Sequence, residues 1–75
     1  MTQMPQVSGE KLVKYLQKQG FKKLRQKGSH VSLQKLTSEK VYRTIVTLHK
    51  DLALGTLLGI LRQCGITKDE FIASY

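Results

Sequence analysis

Lys27-Gly28-Ser29-His30-Val31-Ser32-Leu33-Gln34 decides how the middle of this chain folds. Lys27-Gly28 has the composition of a tight turn, with a strand expected on either side. After it, Val31 and Leu33 alternate with His30, Ser32 and Gln34. A period of two puts the valine and leucine on one face of a strand and His30 on the other. Working outward, Leu36 to Lys40 reads as a second connection, polar apart from Leu36. Residues 41–48 (Val-Tyr-Arg-Thr-Ile-Val-Thr-Leu) are rich in β-branched side chains and predict a third strand. The adjacent Ile45 and Val46 leave its inward face undecided.

Helical spacing brackets this β region. Leu12, Val13 and Leu16 predict a helix over about 9–19, with Ser8 as N-cap and Gly20 as its stop. Leu57, Leu58, Leu61 and Cys64 form an apolar stripe on a helix over about 55–64, ended by Gly65. Thr67 and Glu70 then compose a capping box, with Ile66 and Phe71 at the staple positions, so a short last helix is expected over about 68–73. The fold class is α+β: helix, three-stranded antiparallel sheet, helix, short C-terminal helix. Two helices on one sheet face leave the other face wet.

With 75 residues, the chain reads as one domain, 1–75, in which 1–7 form a loose N-terminal lead-in. Such a domain buries only about 60% of the surface its unfolded chain exposes, so a large ligand must sit on an outer surface. Thirteen Lys and Arg against five Asp and Glu give a net charge of +8. A folded basic surface attracts phosphate backbones, acidic proteins or anionic membranes. The lone cysteine, Cys64, permits no internal disulfide and suits the cytoplasm. No apolar run reaches the ~18 residues needed to cross a bilayer, so no membrane partner is expected.

Few residues can carry chemistry. His30 and His49 are the two histidines. No Cys-x-x-Cys, His-x-x-x-His or acidic cluster is present, so neither a metal site nor a cofactor is expected. Gly28-Ser29-His30 lacks the spacing and Lys-Ser/Thr ending of a phosphate loop. Cys64 lies on an apolar stripe and is assigned to packing. Ser29 and His30 as strand neighbours would point to opposite faces, which argues against a Ser-His pair. There remains His30 among cations, with Lys22, Lys23, Arg25 and Lys27 before it and Lys35 after it. A histidine titrates near neutrality and can move a proton at working pH. RNA carries its own nucleophile, the ribose 2′-OH, so a base near that oxygen and cations near the phosphate suffice. The alternative is that His30 is an ordinary exposed strand residue.

Gly20-Phe21 followed by Arg25-Gln26-Lys27-Gly28-Ser29-His30 resembles the signature segment of the HicA toxins. The second half is similar too: His49-Lys50, Gly55-Thr56-Leu57, Ile60-Leu61, Gly65-Ile66 and Phe71 follow in order. The resemblance covers about Ser8 to Phe71. It implies a fold like the double-stranded-RNA-binding domain. It also implies a toxin that blocks translation by cutting mRNA, a HicB-like antitoxin covering the active site, and His30 as the catalytic residue. At the start of the second helix, Asp51-Leu52-Ala53-Leu54 lacks the basic cluster with which a duplex-binding module grips phosphates. Thr47 stands in Val46-Thr47-Leu48-His49 where family members carry proline, and no role passes to His49.

The expected function is therefore a ribosome-independent, metal-independent endoribonuclease acting on mRNA with His30. Proximity nominates Lys22, Lys23, Arg25, Lys27, Ser29 and Lys35 as RNA-binding. Of these, Arg25 and Lys27 are the expected phosphate stabilisers. The rivals are a non-catalytic RNA-binding module on the same surface and a basic protein that only binds an acidic partner.

Overall fold

A computed structural model describes residues 4–75. Helix α1 spans Gly9–Lys18, strands β1, β2 and β3 span Lys22–Lys27, His30–Leu36 and Val41–Thr47, and helices α2 and α3 span Leu54–Gln63 and Lys68–Ser74. The sheet is antiparallel with order β1-β2-β3. Both long helices pack on one sheet face, giving a two-layer body whose smallest dimension is 18 Å. This is the α+β layout of a double-stranded-RNA-binding domain.

Local chemistry sets the element ends. The Lys11 amide donates to Ser8 Oγ at 3.1 Å, which caps α1. At the other end Gly20 takes φ 98°, the Phe21 amide donates to the Leu16 carbonyl at 2.9 Å, and the Gly20 amide to that of Gln17 at 3.1 Å. These paired bonds are a Schellman stop. The same stop recurs after α2, where Gly65 (φ 71°) and Ile66 donate to the carbonyls of Arg62 and Leu61. Both halves of the Thr67–Glu70 capping box form at the start of α3.

The core settles what sequence left open. Val31 and Leu33 of β2 and Thr44 and Val46 of β3 point toward the helices and are buried, while Ile45 points outward at 58% exposure. Thr44 is the one buried polar residue among those described, and its hydroxyl donates to Gln63 Oε1 at 2.8 Å. On α2 the buried stripe is Leu57, Ile60 and Leu61, and the C-cap residue Cys64 completes the i, i+3, i+4, i+7 set. Leu58 of the expected stripe is only half-buried. Leu36 belongs to β2, paired with Val41, so the second connection is Thr37 to Lys40, closed by a Thr37 hydroxyl-to-Lys40 carbonyl bond of 2.8 Å.

Of the expected loose lead-in, residues 1–3 lie outside the described residues. Val7, however, is a core residue, and its carbonyl accepts from the Leu52 amide at 2.9 Å. Gly9 follows in close contact with the end of β3. Its amide donates to the His49 carbonyl at 2.9 Å. A Cβ there would overlap the Thr47 carbonyl oxygen and lie 2.8 Å from Leu48 Cα. Gly9→Ala should therefore destabilise the fold by about 1–3 kcal/mol, since backbone must shift to admit the methyl. Helix propensity alone predicts the opposite sign. A thermal melt decides between them.

Candidate functional site

The uncovered sheet face is built in rows by the strand register. Lys27 of β1, His30 of β2 and Thr47 of β3 are directly opposite one another. The next row is Arg25, Ser32 and Ile45, and the third is Lys22, Gln34 and Arg43. Directly paired residues share a face, so these rows lie together on the outer surface. An irregularity between Lys23 and Arg25 makes the pattern possible. Strict alternation would put Lys22 and Arg25, three residues apart, on opposite faces. The extra residue of a bulge resets the parity and turns both outward. His30 thus stands exposed with Lys27 beside it and Arg25 and Lys22 further along the same edge.

The turn before His30 consists of Gly28 and Ser29, between the paired Lys27 and His30. Gly28 has φ 60°, as the first connecting residue of a type II′ hairpin requires. The Gln26 side-chain amide donates to the Gly28 carbonyl at 3.0 Å, and the Ser29 carbonyl accepts from Leu48 at 2.7 Å. Ser29 is thus a turn residue, not the strand neighbour of His30, and its carbonyl fixes the hairpin to the end of β3. Ser29 is exposed and adjoins His30 through the chain.

Not every cation named from sequence joins this face. Lys23 pairs with Leu33 and lies on the helix side of the sheet. Lys35 shares the parity of Val31 and Leu33, is half-buried, and holds its ammonium 5.9 Å from the centre of the Phe21 ring. Arg43, which sequence reasoning did not single out, does face outward, its Nε donating to Gln34 Oε1 at 2.9 Å. The signal for Arg43 was the parity of β3, unreadable while Ile45 and Val46 competed for the core.

No acidic residue lies on a strand: Glu10 is in α1, Glu39 in a turn, Asp51 in a loop, and Asp69 and Glu70 in α3. Among the described residues no three His, Cys, Asp or Glu side chains converge as ligands for a metal ion. Cys64 is buried on the other side of the sheet, and desolvation pushes its thiol up to about 11, against a hydrogen bond with Thr44 and the charge of Lys35. A thiol so held is protonated and unreactive at neutral pH, consistent with a packing role. Among the described residues no helix is long and apolar enough to cross a membrane.

A small α+β protein with one sheet face covered by helices and the other presenting a histidine among cations is the class these features define. Residues 9–66 match the family model described as the HicA toxin of bacterial toxin–antitoxin systems. The chain belongs to that family, as a toxin that pairs with an antitoxin. No curated protein and no solved structure matches it.

Proposed function

We propose that this toxin is an endoribonuclease that cuts mRNA independently of the ribosome, in the cytoplasm, with His30 as its catalytic residue. The observation that carries the proposal is the outer sheet row: an exposed histidine directly beside Lys27, with Arg25 and Lys22 following on the same face. His30 takes the proton of a ribose 2′-OH as that oxygen attacks the adjacent phosphorus. The bond to the 5′-oxygen of the next nucleotide breaks, and the leaving oxygen acquires a proton from His30 or solvent. Lys27 and Arg25 stabilise the negative charge that builds on the phosphate oxygens. Ser29 holds the hairpin that presents the histidine.

A HicB-like antitoxin covers this face in the inhibited state. Leu36, Val41 and Ile45 support that role, because they lie exposed on the same surface as the cations and offer a protein partner apolar area.

The nucleophile makes the proposal testable. RNA cleavage by purified protein should persist in excess EDTA. A substrate carrying 2′-O-methyl ribose at the cut site should bind and remain intact there. Cleavage lost to EDTA and restored by magnesium contradicts the mechanism. Binding with no cleavage of any RNA makes the protein a non-catalytic RNA-binding module.

A further inference from the structure

The cations are unevenly distributed. Seven of the thirteen Lys and Arg, but only one of the five acidic residues, fall between Glu10 and Lys27. Four of the seven belong to β1. The other three, Lys11, Lys14 and Lys18, recur at i, i+3 and i+7 on α1, which places them on one face of the helix. All three are exposed, and they line a groove with Tyr15, Ser74 and Tyr75. Tyr75 stacks on Phe71 with ring centres 4.8 Å apart and planes 26° apart, yet 44% of its surface is open. An aromatic ring lining one groove with a row of lysines matches how proteins hold single-stranded RNA, with phosphates on the cations and a base on the ring. An acidic protein partner explains the lysines but does not call for the tyrosine.

The groove is connected to the sheet face by the chain itself. Only Gln19, Gly20 and Phe21 separate Lys18 from Lys22, so the lysines of α1 and the outward cations of β1, Lys22, Arg25 and Lys27, follow one another around the Schellman turn as a track. At ~1.5 Å per helical residue and ~3.3 Å per strand residue, the α1 and β1 segments of that track measure roughly 15 and 20 Å. A dinucleotide at His30 cannot reach α1, but a longer strand can pass around a body only 18 Å thick.

We infer that Lys11, Lys14, Lys18 and Tyr75 form a second RNA-binding site, which holds single-stranded RNA remote from the scissile phosphate. It rests on the endoribonuclease reading, and it makes affinity depend on RNA length. The test uses the His30→Ala protein with labelled single-stranded RNAs of about four and about sixteen nucleotides. Replacing Lys11, Lys14 and Lys18 together by Gln should weaken the long RNA about tenfold. It should also lower the slope of log affinity against log salt by about 2, from three phosphates at ~0.7 each. Binding of the short RNA should stay within about twofold. Tyr75→Leu should weaken the long RNA about fivefold while leaving the salt slope unchanged. The control Lys40→Gln/Arg62→Gln/Lys68→Gln removes equal charge outside α1 and β1 and should shift long-RNA affinity by less than about threefold. All six replaced cations are exposed, and melting curves confirm that each variant is folded. Equal weakening by the two triple variants overturns the inference in favour of bulk charge. Full retention of long-RNA affinity by the α1 variant, with loss of binding to an acidic polypeptide, overturns it in favour of a protein partner. If the His30→Ala protein binds neither RNA, the endoribonuclease reading fails and the second site falls with it.

Discussion

His30→Ala is expected to reduce RNA cleavage by about 10²–10⁴, the usual worth of a positioned general acid–base group. Because the side chain is exposed at the first position of β2 and packs against nothing in the core, stability should change by no more than about 0.5 kcal/mol. RNA affinity should persist, since the cations on the sheet and on α1 remain. Three measurements on one variant therefore separate the roles: cleavage rate, melting temperature and affinity. A large fall in melting temperature makes His30 structural. Unchanged cleavage moves the active site elsewhere.

Phe71→Ala should have the largest effect on stability, about 3–5 kcal/mol. Phe71 is completely buried, meets Tyr15 edge-on at 4.8 Å and stacks on Tyr75. The Tyr15 hydroxyl shares a 2.7 Å hydrogen bond with Ser74 Oγ, so α3 is held to α1 at two points. Removing the ring empties the centre of that contact. For a domain of this size each kcal/mol lowers the melting temperature by roughly 4–8 °C, so a drop of at least about 12 °C is expected by calorimetry. A loss below about 1 kcal/mol would mean that α3 contributes little to the fold.

Phe71 also illustrates what sequence can and cannot reveal. Its place in a staple after a capping box is a local pattern, and α3 was legible from it. That α3 docks on Tyr15 of α1, far away in sequence, depends on tertiary packing and has no local signature. Gly20, Gly28 and Gly65 were readable as stops and turns for the same local reason. Gly9 was not, because its requirement comes from the close approach of the β3 backbone. On the sheet, the alternation of β2 correctly put His30 opposite Val31 and Leu33. The placement of the cations on β1 was hidden by the irregularity at Lys23/Arg25, since one extra residue reverses which side chains share a face. Lys23 and Lys35 are near His30 in sequence, yet lie on the helix side of the sheet.

The central claim is that His30 activates the substrate's own 2′-OH, and the chemical ends of the products test it most directly. Mass spectrometry of a short oligoribonucleotide cut by the purified protein should show an upstream fragment ending in a cyclic or simple phosphate. The downstream fragment should begin with a free 5′-OH. A 5′-phosphate on the downstream fragment would mean that water attacked the phosphorus, and would contradict the role assigned to His30.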